Sequence, residues 1–207
     1  MTRILAVIAA ALLLGGCAVG NTHNYGQSSL ELGGVSSTGT VALCVQDVRS
    51  YVMSGNKPES FVGLRRGGFG NPFDVNTKSG GPLAAEIRDT ISRSLAAKGV
   101  KVEPVTVPRT AGISEAKRAL AQTRARRSML VTLREWKSDT MMNTDLHYDV
   151  TADVMDDKGA VLGTNSIRGV DNLGNLGMVS PEEGLVAMFA TKFNALLGDE
   201  KIVAALR

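Results

Sequence analysis

The sequence predicts an α+β domain, a mixed β-sheet with a C-terminal antiparallel meander and helices packed on one face. Three observations lead to this prediction. Residues 41–48 are mostly apolar, with β-branched valine at 41, 45 and 48, which is typical of a strand covered on both faces. Residues 82–98 carry an apolar side chain at every fourth position, as an amphipathic helix does. Residues 128–170 alternate between apolar and polar, which indicates strands with one solvated face.

The first 16 residues have the features of a bacterial lipoprotein signal peptide, 1–16. Arg3 provides the positive charge, and an uncharged apolar run over 4–14 follows it. The run has roughly 11 residues, whereas a membrane-spanning helix needs ~20. Leu14-Gly15-Gly16-Cys17 fits the lipobox, in which small residues precede the cysteine that receives lipid. We therefore favour cleavage before Cys17 and its acylation with palmitate-type chains over an ordinary secretory leader or an uncleaved core helix.

The leader predicts where the domain is held. Two or three acyl chains anchor a protein stably, whereas one chain alone does not. Ala18 rather than Asp follows the cysteine, which by the sorting rule of Gram-negative lipoproteins predicts the periplasmic face of the outer membrane. Residues 17–39 are polar and rich in Ser, Gly, Asn and Thr, so we expect a lipidated flexible tether with His23 solvated in it. Residues 40–207 are then a single periplasmic domain.

Composition limits the classes of function. The chain has 207 residues and is 43% hydrophobic, which suits one domain with an aliphatic core, since only 4% of residues are aromatic. A formal net charge of +3 without any run of five like charges gives no reason to expect a nucleic-acid partner. Cys44 lies in an apolar stretch, where a buried, unreactive thiol is expected.

The middle of the chain contains one irregular region. Residues 49–81 are too long for an ordinary connection, and their glycines between short apolar stretches indicate a β-hairpin with its tip near Gly67-Gly68. Pro82 and Gly99 suit the start and end of the helix over 82–98. Prolines in 100–107 restrict the next strand to an edge of the sheet. A second helix over 114–127 follows.

The last third is predicted more simply. Strands over 128–136, 145–155 and 160–170 form the meander, with a hairpin turn between the last two. Ser180-Pro181-Glu182-Glu183 is a capping box with proline at the first helical position. Gly198 breaks that helix, and a short final helix is expected over 199–207.

No residue pattern indicates catalysis, a metal site or a cofactor. The chain has two histidines and neither an H-E-x-x-H nor a C-x-x-C motif. A serine nucleophile would have only His147 as a base within the domain, and the G-x-S-x-G elbow is absent from the sequence. Asp145, His147, Asp149 and Asp153 share one strand face and could bind a cation, although a solvated sheet face is the simpler interpretation. We therefore expect a protein that is not an enzyme.

Two basic segments are candidates for contact with an anionic ligand such as a lipid head group. Their side chains are Arg65, Arg66, Lys117, Arg118 and Arg124. A solvated loop tip is the alternative for the first two. For the helical residues the alternative is that cations near a helix C-terminus complement its dipole. A phosphate-binding loop at 67–70 is disfavoured, because the glycines lack the G-x-x-x-x-G-K-[ST] spacing.

Several short motifs occur along the chain in a fixed order. They are the lipobox, Asp47-Val48-Arg49, Val62-Gly63, Arg65-Arg66, Leu95-Ala96-Ala97-Lys98-Gly99, Trp136, the strand with Tyr148, and Asp157-Lys158-Gly159. Together they resemble the YajG-type uncharacterised bacterial lipoproteins. The resemblance implies helices layered on a mixed sheet and no transferable catalytic residues. The hypothesis is a membrane-anchored, non-enzymatic interaction module in envelope assembly or maintenance, whose partner is an unknown envelope protein or lipid. The alternative is an accessory lipoprotein of an envelope lipid-transport system.

Overall fold

A computed structural model describes residues 22–35, 39–174 and 180–207. The predicted signal peptide and Cys17 lie outside these residues. The strands are β1 (Thr22–His23), β2 (Thr40–Asp47), β3 (Phe61–Arg66), β4 (Pro72–Thr77), β5 (Lys101–Val105), β6 (Arg127–Thr140), β7 (Thr144–Asp156) and β8 (Val161–Asn172). The helices are α1 (Ser50–Met53), α2 (Leu83–Ala96), α3 (Ile113–Ala121), α4 (Pro181–Leu197) and α5 (Glu200–Leu206), with a 3₁₀ turn at Tyr25–Gln27.

The described strands form one mixed sheet around the long strand β6. On one edge of β6, β7 pairs antiparallel along the whole strand, and β8 pairs with β7. On the other edge, β2 pairs in parallel with 127–133, and β3 pairs in parallel with 138–140. Beyond them lie β5 next to β2, and β4 and β1 next to β3. The predicted α+β class, mixed sheet and C-terminal meander are confirmed.

Helices cover both faces of the sheet. The larger core cluster joins α2, α4 and α5 to one face, which carries Val41 and Leu43 of β2. The next residues along β2, Ala42 and Cys44, face the other way and pack with α3 in a smaller cluster. The prediction that helices pack on one face is therefore wrong for α3. The physical reason lies in β2. This strand is apolar on both faces, so both faces must be buried under helices to be removed from water.

Residues 22–35 are part of the domain, which corrects the predicted flexible tether for this part of the range 17–39. β1 pairs in parallel with β4 at the edge of the sheet. Tyr25 is fully buried, with its ring centroid 5.1 Å from Phe189 and 6.0 Å from Trp136. Leu30 and three further apolar or aromatic side chains of this segment, Tyr25, Leu32 and Val35, are buried in the larger core. They are spaced irregularly among polar residues, so no helix or strand period marked them as core.

The predicted hairpin within 49–81 is confirmed. β3 and β4 pair antiparallel, with a register shift between Phe61 and Gly63. Its tip lies where it was expected, since Gly67 N–H donates to the Asn71 carbonyl at 2.9 Å. The helix predicted over 82–98 is α2, and the edge strand predicted over 100–107 is β5, which pairs only with β2 among the described strands.

The C-terminal helices also form where the sequence predicts them. At the start of α4 the Ser180 hydroxyl accepts from the Glu183 N–H at 3.2 Å, and Pro181 is the first helical residue. The α4 helix ends before Gly198, and α5 begins at Glu200. No helix among residues 22–35, 39–174 and 180–207 is both long and apolar enough to cross a membrane.

Candidate functional site

Two loops meet at one end of the sheet. β3 and β6 run in parallel with Arg65 opposite Thr140, so the hairpin tip after β3 lies beside the turn after β6. We call residues 65–73 and 140–144 the hairpin end. The first residues of β4 and β7 also lie here, because both strands pair antiparallel with their predecessors.

The hairpin end exposes large apolar side chains. Phe69 at the tip is 99% exposed, and Met142 in the β6–β7 turn is 82% exposed. Phe73 and Met141 are about half exposed. Scattered apolar residues are ordinary on protein surfaces, but a group of large ones on adjacent loops is typical of a contact surface. In the sequence, Phe69 stands out only as an aromatic neighbour of Arg65-Arg66, and no local pattern marks Met141 or Met142.

The two arginines predicted to contact an anion differ in their surroundings. Arg66 forms a bidentate pair with Asp139, with Nη2 to Oδ2 at 2.6 Å and Nε to Oδ1 at 2.8 Å. The hydrogen bond from Arg66 lowers the pKa of the Asp139 carboxyl, so this carboxylate offsets the charge of Arg66. Arg65 points to the helix-covered face, where it lines a cavity of about 150 Å³ with His23 and Thr140.

The other predicted basic residues lie elsewhere. Lys117 on α3 lies 3.8 Å from the Asp153 carboxylate of β7. Asp153 pairs in register with Leu130 of β6, whereas Arg65 pairs with Thr140. At a rise of ~3.3 Å per residue, these levels are about 30 Å apart along β6. Arg118 and Arg124 are exposed in the α3 region. The structure therefore divides the five basic residues between two distant surfaces, and anion contact at either stays a prediction.

The acidic face of β7 is largely engaged with neighbouring side chains. Asp149 lies 3.8 Å from Arg134 and 3.6 Å from Arg168. Asp153 accepts a hydrogen bond from Thr164, and Asp145 accepts one from Asn172. In the part of the chain that the structure describes, no three His, Cys, Asp or Glu side chains come together in a group that could hold a metal ion.

A buried ion pair marks the place where β6 changes partner from β2 to β3. Asp47 ends β2, and Arg49 follows it with a side chain that is fully buried. The guanidinium binds the Asp47 carboxylate at 2.6 Å and donates to the carbonyls of Phe61 and Trp136 at 2.6 and 3.2 Å. The Asp47-Val48-Arg49 motif was visible in the sequence, but nothing in the pattern showed that its arginine points inward.

His23 was predicted to be solvated, and it is 5% exposed. Its Nε2 lies 3.3 Å from the Ser138 hydroxyl, while Nδ1 is buried without a hydrogen-bond partner. Burial lowers the pKa of the imidazole from 6.5 to about 4. The ring therefore stays neutral at neutral pH, and it contributes packing next to Tyr25 rather than charge.

Cys44 is buried as predicted, and it is the free cysteine of the described residues. Burial raises the pKa of its thiol to about 11. A nucleophilic cysteine needs a lowered pKa and access to substrate. Cys44 has neither, so its role is to pack from β2 against α3.

Comparison with solved structures shows that the fold is shared. A Xanthomonas campestris protein of the DUF330 family is 10% identical, covers 87% of this chain and 90% of its own, and superposes with a TM-score of 0.52. Weaker likenesses include the lipoprotein GNA1162 of Neisseria meningitidis (10% identity, 77% and 99% coverage, TM-score 0.45) and a leucine-to-methionine variant of the PelC dodecamer of Paraburkholderia phytofirmans (12% identity, 83% and 92% coverage, TM-score 0.44).

Sequence comparison adds no relative. No protein-family model matches the chain, and the curated proteins yield no significant match. At 10% identity the DUF330 protein shows the fold alone. The specific resemblance to the YajG-type lipoproteins therefore stays a prediction.

Proposed function

We propose that this chain is a lipid-anchored lipoprotein of the bacterial envelope, held by Cys17 on the periplasmic face of the outer membrane. There it serves as a non-enzymatic interaction module in envelope assembly or maintenance. The observation that carries this proposal is the leader, in which an apolar run ends in Leu14-Gly15-Gly16-Cys17.

The structure supports a short connection between that anchor and the domain. The first described residue, Thr22, already pairs with Asn76 in the sheet. Four residues, 18–21, lie between it and Cys17, and the five residue steps from Cys17 to Thr22 span at most about 17 Å when fully extended. A lipid on Cys17 therefore holds the domain against the membrane rather than on a long tether.

The described surfaces support interaction rather than chemistry. The Cys44 thiol is buried, and the acidic side chains of β7 are engaged with arginine, lysine, asparagine and threonine. The group of exposed apolar side chains at the hairpin end is instead suited to contact with a partner surface.

Lipidation is tested by the mass of the N-terminal peptide from protein extracted out of membranes. We expect a diacylglycerol thioether and an amide-linked acyl chain on Cys17, and fractionation of the protein with the outer membrane. The matched control is Cys17→Ser, which we expect to leave the membrane fraction. An unmodified Cys17, or a Cys17→Ser chain that stays in the membrane, would contradict the proposal.

A further inference from the structure

We propose that the hairpin end is a membrane-contacting surface, and that Phe69 and Met142 enter the interfacial layer of the bilayer that holds the lipid anchor. This inference rests on the lipidation of Cys17 proposed above. It adds which side of the domain faces the bilayer and which side chains contact it.

The direction of β1 provides the first argument. β1 runs parallel to β4, and β4 starts at the hairpin tip. Thr22, the first residue of β1, therefore lies at the end of that strand that faces the hairpin end. Thr22 pairs with Asn76, which lies about 13 Å along β4 from Pro72 at a rise of ~3.3 Å per residue. A chain of five residues reaches about 17 Å at most, so an anchor on Cys17 can extend just past the start of β4.

The opposite end of the sheet is out of reach of that anchor. β8 begins there, and Val161 pairs with Met155 near the end of β7. Along β7 this level is about 35 Å from Thr144 at ~3.4 Å per residue. A bilayer that receives the acyl chains of Cys17 is consequently close to the hairpin end and far from the start of β8.

The distribution of apolar side chains is the second, independent argument. Of the eight large apolar side chains exposed among the described residues, four lie at the hairpin end: Phe69, Phe73, Met141 and Met142. Phe69 and Met142 are the two most exposed of the eight. Exposed phenylalanine and methionine on adjacent loop tips fit the boundary between head groups and acyl chains, where apolar side chains leave water.

Charge contributes less to this surface than apolar contact does. Asp139 offsets the charge of Arg66, and Asp145 lies in the same region at the start of β7. We therefore expect the contact to form on zwitterionic lipid as well as on anionic lipid. This expectation distinguishes a bilayer surface from a site for a soluble anion.

The test uses the lipidated full chain with an environment-sensitive fluorophore on Phe69→Cys or Met142→Cys, reconstituted in phosphatidylcholine vesicles. Cys17 is blocked by lipid and Cys44 is buried, so the label reaches only the new thiol. Both positions are exposed, so neither substitution removes core packing. The control is Leu162→Cys, an exposed apolar position at the far end of the sheet, labelled with the same fluorophore.

We expect blue-shifted emission and strong quenching by brominated lipid at 69 and 142, and aqueous emission at 162. Vesicles that also contain phosphatidylglycerol should give the same result. Aqueous emission at both 69 and 142, in protein whose mass shows an acylated Cys17, would overturn this inference and leave the lipoprotein proposal intact. Equal quenching at all three positions would overturn it too. A mass without acylation would overturn both.

Discussion

Arg49 and Asp47 form a buried ion pair at the point where two strands share one edge of β6. The Arg49 side chain is 0% exposed and that of Asp47 is 6% exposed, with 2.6 Å between Nη2 and Oδ2. The guanidinium also donates to the carbonyls of Phe61 and Trp136, which lie on β3 and β6. One side chain thus links the end of β2 to the start of β3 along the same edge of the central strand β6.

Removing one partner of this pair should destabilise the domain strongly. Asp47→Ala leaves the Arg49 charge buried without its carboxylate, and breaking a buried pair in this way typically costs about 3–5 kcal/mol. The measurement is urea unfolding of the mature chain carrying Cys17→Ser. Asp139→Ala is the matched control, because Arg66 and Asp139 have the same 2.6 Å geometry at 37% and 23% exposure. We expect about 0–1 kcal/mol for the control, and equal losses in the two variants would contradict this assignment.

His23 should make the stability of the domain depend on pH. Its pKa is about 4 in the folded protein and 6.5 as the reference value for the unfolded chain. Between these values the unfolded chain binds more protons, so stability falls as the pH decreases from 6.5 towards 4. The full effect is about 3 kcal/mol at 1.36 kcal/mol per pKa unit. Unfolding free energies across this range should show a shallower slope for His23→Gln than for wild type, and His147→Gln is the control. A slope unchanged in His23→Gln would contradict the burial of His23.

Gly63 should not tolerate a side chain. It pairs with Ser138 of β6, and a Cβ added there would lie 2.7 Å from the Ser138 carbonyl oxygen. Backbone cannot move aside as a flexible side chain can, so Gly63→Ala should cost about 1–3 kcal/mol. Gly68→Ala at the hairpin tip is the control, since no atom lies within 4 Å of its added Cβ. Urea unfolding compares the unfolding free energies of the two variants. An unchanged unfolding free energy in Gly63→Ala would show that β3 and β6 are further apart at this position than the structure indicates.

Cys44 should be protected from thiol reagents in the folded state. It lies on β2 under α3, and burial raises the pKa of its thiol to about 11. In a Cys17→Ser chain, a disulfide reagent at mildly alkaline pH should react only as fast as the domain opens. Addition of urea above the unfolding midpoint should release full reactivity. Rapid labelling without denaturant would show that α3 does not cover the sheet.

The sequence predicts the regular part of this fold well. The period of α2, the capping box at Ser180 and the alternation along β7 each arise from a local physical requirement, and each element forms where the pattern predicts it. The hairpin in the long region 49–81 could also be predicted, because glycines between apolar stretches are a local signal for a turn between strands.

The errors concern residues whose environment is set by distant parts of the chain. Tyr25 and Leu30 lie in a polar segment, and their burial depends on Trp136 and the α4 helix, more than a hundred residues away. From the sequence, Arg49 is predicted only to follow the end of a strand. Its burial depends on the carbonyls of Phe61 on β3 and Trp136 on β6, which the fold brings to its guanidinium. The hairpin end could not be predicted for the same reason. Phe69 and Met142 are far apart in the sequence, and it is the pairing of β3 with β6 that brings their loops together.

The most direct test of the account is the height of two positions above the bilayer. In the lipidated chain, fluorescence energy transfer from a donor fluorophore at position 69 or 162 to acceptor-labelled head groups measures the height of each position above the bilayer. We predict efficient transfer from 69 and weak transfer from 162, because the start of β8 lies about 35 Å further along the sheet at ~3.4 Å per residue. Equal transfer from both positions, or stronger transfer from 162, would contradict an anchor at Cys17 that brings the hairpin end to the membrane.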